Sequence, residues 1–371
     1  MPEGQGGLVL SLKVSIVLGT RPEIIKMSPI IRECERLGLD YFILHSGQHF
    51  SYNMDRIFFE QLGLPEAKYN LEVGSGTHAE QTGRILVGVE RVLLKERPDI
   101  VLVEGDTNTV LAGALAAVKL GVMVGHVEAG LRSFDREMPE EINRILTDHM
   151  SDYLFAPTER AKENLLGEGV DEGKIYVTGN TIVDALYQNL KLAEDNGVLE
   201  RLNLGGDDYF LLTLHRQENV DREERLRSIV KGLDLVVERF KLPIVYPIHP
   251  RTRKRLKEFG IGINEDIQLI EPLDYLSFLK LESGARLILT DSGGVQEEAC
   301  ILRVPCVTIR RSTERPETVD VGANVVAGLE PENILRCVEL MIDKDRVWMN
   351  PFGDGRAGMR IVDVLYSDFK E

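Results

Sequence analysis

The sequence predicts an α/β protein of two domains, each built on a parallel sheet. Three observations carry that reading. Short apolar runs alternate with stretches of helical period through most of the 371 residues. The alternation lapses at Gly205-Gly206-Asp207-Asp208 and then restarts, in a chain long enough for two ordinary cores. Nearly every apolar run also ends in polar residues, as the ligand-facing edge of an open α/β sheet requires. The expected division is a first domain over 1–180, a connecting helix and linker over 181–208, a second domain over 209–354, and a C-terminal helix over 355–371 that returns to the first domain.

In the first domain, Lys13 to Leu18 reads as a strand running into Gly19-Thr20-Arg21-Pro22-Glu23 and a helix to about Leu37. Backbone N–H groups and the positive helix end converge at that turn, so with Arg21 and Lys26 it suits a phosphate or other anion. It lacks the P-loop pattern, and an arginine that merely pairs with Glu23 is the plainer reading. Tyr41 to His45 is the next strand and ends in Ser46-Gly47-Gln48-His49. Gly74 to Ala79 matches the dinucleotide pattern GxGxxA, but without the strand context it reads as a loop before a helix from Thr77 to Glu96. Ile100 to Val103 is a strand that ends in Glu104-Gly105-Asp106-Thr107, ahead of an alanine-rich helix from Asn108 to Leu120. Asp106 or Thr107 there is equally a helix N-cap.

Val122 to Val127 is a buried parallel strand, and Glu128 stands where it ends. Glu140 opens a helix behind Pro139, with Arg144 one turn on. Acids, bases and Gly130 crowd residues 126–144 with too little periodicity to serve packing alone. Tyr153 to Ala156, Thr158 to Leu166 and Ile175 to Thr178 continue the alternation.

The second domain repeats the scheme. Its strands are expected at Tyr209 to Leu214, Ile244 to Ile248, Ile267 to Ile270 and Leu287 to Thr290. They end in His215-Arg216-Gln217-Glu218-Asn219, His249-Pro250-Arg251, Glu271-Pro272-Leu273-Asp274-Tyr275 and Asp291-Ser292-Gly293-Gly294. The last precedes a helix and is a second anion cradle, with Glu298 one turn in and able to chelate a ribose diol. A strand from Cys306 to Ile309 leads to the basic loop around Arg310, Arg311 and Arg315. Two domains facing one another across a cleft, each with a phosphate-capable turn, suit a nucleotide-linked substrate.

A formal charge of −16 argues against a nucleic-acid groove. Cys34, Cys300, Cys306 and Cys337 lack the paired spacing of a zinc or redox motif, so no metal is expected and a reducing cytoplasm fits best. The amino-terminal stretch has no basic start before its short apolar run, and no later run approaches a membrane span, so neither export nor a membrane partner is expected.

Taken together, Gly19-Thr20-Arg21-Pro22-Glu23, Gly105-Asp106-Thr107, His126-Val127-Glu128-Ala129-Gly130, Pro139-Glu140-Glu141, His215-Arg216-Gln217-Glu218-Asn219, Asp291-Ser292-Gly293-Gly294 and Thr313-Glu314-Arg315-Pro316-Glu317 resemble the motifs of the non-hydrolysing UDP-N-acetylglucosamine 2-epimerases. The likeness runs from about Val14 to Gly358, and the set is specific although each motif alone is weak. The resemblance implies two Rossmann-like domains in a glycosyltransferase-B-like arrangement, a homodimer, a UDP-sugar substrate and no cofactor. By motif position it makes Asp106, Glu128 and Glu140 the catalytic carboxylates and assigns Arg21 and Lys26 to the diphosphate or the sugar. His215, counted with the catalytic groups, would hold the phosphates together with Ser292, Gly293 and Gly294. Leu273 and Phe278 would frame the uracil, Glu298 would hold the ribose, and Arg315 would close on the substrate. Regulated bacterial members bind a second UDP-sugar near a Gln-His-Arg segment; here Gln48-His49 is followed by Phe50, Ser51 and Tyr52, and the resemblance does not extend there.

The chemistry implied explains the number of acids. C2 of the sugar has no adjacent carbonyl, so its proton is too weakly acidic for a carboxylate until UDP begins to leave C1. Departure builds oxocarbenium character, a carboxylate then takes the C2 proton, and a 2-acetamidoglucal results. Protonation of the other face and return of UDP gives the mannosamine epimer, which calls for proton-handling groups on two faces. A glycosyltransferase of the same architecture, a hydrolysing epimerase, a non-catalytic sugar-nucleotide sensor, and an epimerase of a UDP-diacetamido uronic acid remain open from the residues.

Overall fold

In this computed structural model the described residues are 12–48, 52–194, 196–204 and 208–369; His49 and the expected linker residues Gly205 to Asp207 lie outside them. The chain forms two compact units, one of Met1–Ala185 with Phe352–Glu371 and one of Leu186–Pro351.

The first unit is a seven-stranded parallel sheet in the order β3-β2-β1-β4-β5-β6-β7. Its strands are β1 (Lys13–Leu18), β2 (Asp40–His45), β3 (Tyr69–Asn70), β4 (Ile100–Glu104), β5 (Met123–Val127), β6 (Tyr153–Ala156) and β7 (Ile175–Val177). Val14, Ile16, Val17 and Leu18 of β1 are all buried, which is why the run is apolar on both faces rather than alternating. β1 pairs with β2 through Val14 and Tyr41 and with β4 through Val14 and Ile100, so the strand order reverses between β1 and β4. That reversal is the topological switch point, the place where ligands bind in open α/β sheets.

The helix Arg21–Leu37 begins directly beyond β1, and the Glu23 side chain folds back to accept from the Gly19 and Thr20 N–H groups at 2.5 and 3.1 Å. It ends at Gly38, whose φ of 65° lets its N–H return to the carbonyls of the last turn. The C-terminal helix Ala357–Asp368 packs on this helix so closely that a Cβ on Gly358 would stand 2.9 Å from Pro29 Cβ.

The second unit is a six-stranded parallel sheet in the order β10-β9-β8-β11-β12-β13. Its strands are β8 (Phe210–Thr213), β9 (Ile244–Pro247), β10 (Ile267–Ile270), β11 (Leu287–Thr290), β12 (Cys306–Thr308) and β13 (Asn324–Val326). Here the order reverses between β8 and β11, which pair through Leu211 and Ile288. Two apolar clusters fill it, one containing Phe210, Leu212, Leu289 and Val307 and the other Leu211, Val245, Ile288 and Cys306. Alternate residues of the same strands thus enter different clusters, as the period of two demands.

Both units are doubly wound and Rossmann-like, the expected α/β class. The sequence reading lacks the short strands β3 and β13, and the helices it lacks include Tyr52–Gln61, Glu223–Phe240, Pro250–Glu258, Tyr275–Gly284 and Pro331–Met341. The two residues of β3 are too few for a period of two to be visible, and β13 opens on the polar Asn324, which leaves only two apolar positions. Among the described residues no helix is long and apolar enough to cross a membrane.

Candidate active site

At the first switch point, the end of β1 supplies the Arg21–Leu37 helix, the end of β4 supplies Glu104 to Thr107, and the neighbouring end of β5 supplies Glu128. Parallel strands ending at one edge bring together residues some hundred positions apart. Lys26 reaches from the helix to Glu128, with Nζ 2.6 Å from Oε2, and lies 3.2 Å from Glu104 Oε1. Asn180 Nδ2 donates to the other oxygen of Glu128 at 2.8 Å. Glu128 itself has a φ of 68°, a left-handed conformation in which a glutamate is uncommon, so its backbone is strained where its side chain is most constrained.

Asp106 lies two residues beyond Glu104 and is held from the helix Pro139–Met150. Arg144 Nη2 pairs with Asp106 Oδ2 at 2.5 Å, and Asn143 Nδ2 donates to the Asp106 carbonyl at 2.9 Å. Thr107 caps the helix Asn108–Lys119, accepting from the Thr109 and Val110 N–H groups, while its hydroxyl donates to Glu23 Oε1 at 2.6 Å. Burial pushes the Glu23 carboxyl up to about 7, against the hydrogen bonds from Thr107, Gly19 and Thr20 and with help from Asp106. Glu23 is therefore committed inward, and Arg21 stands exposed with its guanidinium 5.6 Å over the Phe58 ring.

The adjacent acids Glu140 and Glu141 have separate fates. Glu141 is buried and accepts from the Ser133 and Phe134 N–H groups at 3.0 and 2.8 Å and from Arg144 Nη1 at 2.7 Å. It shapes the loop, whereas Glu140 is half-buried at the start of the helix. A second buried hub fixes the other end of that loop. Asp148 meets His126 Nδ1 at 2.6 Å, Arg132 Nη1 at 2.7 Å and the Gly130 N–H at 3.1 Å, and His126 Nε2 faces the Gly105 carbonyl at 2.8 Å. Burial alone would raise the Asp148 carboxyl, but His126 and Arg132 outweigh it and hold the group below its ordinary range. Gly130, at a φ of 82°, has no room for a side chain, since a Cβ would sit 2.2 Å from the Ala161 carbonyl oxygen.

At the second switch point, Asp291 ends β11 and turns toward β8. It accepts from the His215 N–H at 3.1 Å, the Arg216 N–H at 2.9 Å and Asn219 Nδ2 at 3.2 Å, so it builds the turn that presents His215. Burial pushes the His215 imidazole below its ordinary value; Asp291 opposes that shift, while His249 and Arg216 add to it. Ser292 precedes the helix Gly293–Ile301, and Gly293 is tight, because a Cβ there would lie 2.6 Å from Glu314 Oε1. The basic loop is largely neutralised within the unit: Arg216 and Arg310 both pair with Glu314, and Arg315 Nε lies 2.7 Å from Glu297. Leu273 and Phe278 are half-buried and lean on the core beside Ile270. Glu298 is half-buried beside the fully buried Glu282, whose carboxyl burial raises well above its ordinary value, with Glu298 adding to the shift.

Sequence reasoning missed Glu104, Asn180, Asp148 and Glu282. An acid ending an otherwise apolar strand was a signal for Glu104; Asn180 carried none, because only folding brings it to β5. Among the described residues no cluster of histidine, cysteine and carboxylate groups has the form of a metal site.

Residues 32–366 match the family profile of UDP-N-acetylglucosamine 2-epimerase. The chain is 62% identical over 361 residues to the UDP-N-acetylglucosamine 2-epimerase of Methanocaldococcus jannaschii, covering 95% of this chain and 99% of the relative. It is 44% identical over 359 residues to the UDP-2,3-diacetamido-2,3-dideoxy-D-glucuronate 2-epimerase of Pseudomonas aeruginosa, covering 95% and 99%. The crystal structure of the M. jannaschii enzyme in complex with UDP-GlcNAc and UDP superimposes with a TM-score of 0.85 at 62% identity, covering 96% of this chain and all of that one (100%).

Proposed function

The chain belongs to the UDP-N-acetylglucosamine 2-epimerase family, and on that premise we propose that it interconverts UDP-N-acetylglucosamine and UDP-N-acetylmannosamine, without a cofactor, by elimination and re-addition of UDP. The observation that carries the mechanism is the grouping of Asp106, Glu128 and Lys26 at the switch point of one sheet, with Glu140 opening the helix whose Arg144 holds Asp106.

In this reading the C1–O bond breaks and its electron pair leaves with the β-phosphate of UDP. A carboxylate takes the C2 proton, and the former C2–H electrons form the C1–C2 double bond of 2-acetamidoglucal. The reverse steps on the other face return a proton to C2 and UDP to C1. Atoms, charge and oxidation level balance without an added reagent. Asp106, Glu128 and Glu140 handle the protons and the positive charge that builds at C1, while Arg21 and Lys26 serve the sugar and its diphosphate.

His215, the Gly293 and Gly294 N–H groups, Ser292 and Arg315 hold the departing UDP, Glu298 its ribose, and Leu273 and Phe278 its uracil. Burial holds the His215 imidazole below its ordinary value, which biases the ring that would meet the diphosphate toward its neutral form. A homodimer belongs to the same proposal.

Incubation with UDP-N-acetylglucosamine, with neither cofactor nor acceptor, should yield the UDP-linked mannosamine epimer as the main product. Stoichiometric free N-acetylmannosamine with UDP would identify a hydrolysing enzyme. Loss of UDP only when an acceptor is present would identify a transferase, and turnover confined to a UDP-diacetamido uronic acid would move the chain to that substrate.

A further inference from the structure

Lys26 is shared by two buried carboxyl groups, and only one of them is given the ligands of an anion. Glu128 has a donor on each oxygen, Lys26 Nζ at 2.6 Å on Oε2 and Asn180 Nδ2 at 2.8 Å on Oε1. Glu104 is 2% exposed, and the same ammonium lies 3.2 Å from its Oε1 but without the alignment of a hydrogen bond. Two carboxylates beside one ammonium would leave a net buried negative charge, which a low-dielectric site removes by binding a proton. Glu23 on the Lys26 helix is a further acid that makes a second anion less favourable still.

We propose that Glu104 and Glu128 hold one proton between them beside Lys26, resident on Glu104 at rest, and that Glu104 is the positioning residue that keeps Glu128 able both to take and to return a proton. The assignment rests on the catalytic reading of Glu128 given above. Burial pushes the Glu104 carboxyl well above its ordinary range; Lys26 opposes this, and Glu128 and Glu23 add to it. With the shared proton present, the site carries one carboxylate and one ammonium, and Glu128 is a base of moderate strength. Were that proton lost, Glu128 would face a second anion, bind a C2 proton tightly and surrender it slowly. The reaction runs through a reversible proton transfer, so an intermediate basicity serves both directions. Interacting carboxyls of this kind titrate as a pair rather than singly.

Two measurements on E104Q test this, the first without any substrate. Glutamine is neutral like the protonated acid and can donate to Glu128, but it has no proton to lose. In infrared difference spectra of wild type against E104Q at neutral pH, the deuterium-sensitive protonated-carboxyl band should lose one carboxyl's share of intensity in the variant, while the shares of Glu282 and Glu23 remain. An unchanged band overturns the shared proton, whatever the enzyme's substrate proves to be. In the pH profile of kcat, the wild type should lose activity at alkaline pH as the pair gives up its proton. E104Q, within about 10-fold of wild type near neutrality, should keep its rate at least about one pH unit higher. Profiles of the same shape in both proteins overturn the role in proton transfer. If that share is lost but no UDP-sugar is epimerised by the wild type, the shared proton stands and the functional premise fails.

Discussion

Glu140 and Glu141 are neighbours of the same type, and nothing in the sequence says which of them a ligand would meet. The structure separates them by partner: Glu141 spends both oxygens on the Ser133 and Phe134 N–H groups and on Arg144, and Glu140 does not enter that network. Asp106→Asn, Glu128→Gln and Glu140→Gln should each lower turnover by at least ~100-fold with UDP affinity kept within several-fold, the usual cost of losing a proton-transfer group. Near-normal turnover in all three, measured by product formation, would remove the catalytic assignment. Glu23 offers a different test because its carboxyl is raised from 4.5 to about 7 in the folded protein. An acid raised on folding contributes fully to stability below its unfolded value and loses that contribution as pH climbs through the folded one. Over that window the loss amounts to about 3 kcal/mol. Wild type should therefore weaken toward urea between about pH 5 and about pH 8 more than E23Q, which cannot ionise. Equal weakening in the two proteins would show that Glu23 is already ionised when folded.

The strands, the glycine turns beyond them and the anion-capable helix starts were legible because each is written locally. An apolar run, a residue free to take a positive φ and a capping pair sit within a few positions of one another in the chain. What joins those elements was not legible, because it depends on which strand lies beside which. Asp148 shows this well. In the sequence it is one polar residue in the last turn of a helix; in the fold it grips His126 from β5, Arg132 from the loop and the Gly130 backbone. The loop between Glu128 and Glu140 is thus fastened at one end by Asp148 and at the other by Glu141. Asp148→Ala would leave the buried His126 ring and the Gly130 N–H without their acceptor and Arg132 with Glu168 as its remaining carboxylate, so it should cost about 3 kcal/mol, the low end of the range for breaking a buried ion pair from one side. Urea unfolding of the first unit would register it. A loss below about 1 kcal/mol, as for a surface pair, would mean that water takes the place of the carboxylate.

At the scale of the whole chain, the proposed function assigns the phosphates to residues of one unit and the proton transfer to residues of the other, and it predicts that substitutions divide the kinetics in the same way. His215→Ala and Arg315→Ala in the second unit should each weaken UDP binding by about 1.5–3 kcal/mol, the worth of a hydrogen bond to a charged group, as calorimetry would read it. Unchanged affinity would take those residues off the phosphates. The role proposed for the first unit's carboxylates is tested instead by the fate of one hydrogen. In deuterium oxide, with no added cofactor, the C2 hydrogen of UDP-N-acetylglucosamine should be replaced by deuterium as the mannosamine epimer appears. A proton taken by a carboxylate sits on oxygen and can trade with solvent before C2 is protonated again. A hydride passed to a nicotinamide would return to the same carbon unexchanged, so protium retained at C2 would refute elimination and re-addition. Because the glucal intermediate is held by no covalent bond, prolonged incubation should also release a little UDP and 2-acetamidoglucal. That leak should grow in variants such as Arg315→Ala that hold UDP less tightly.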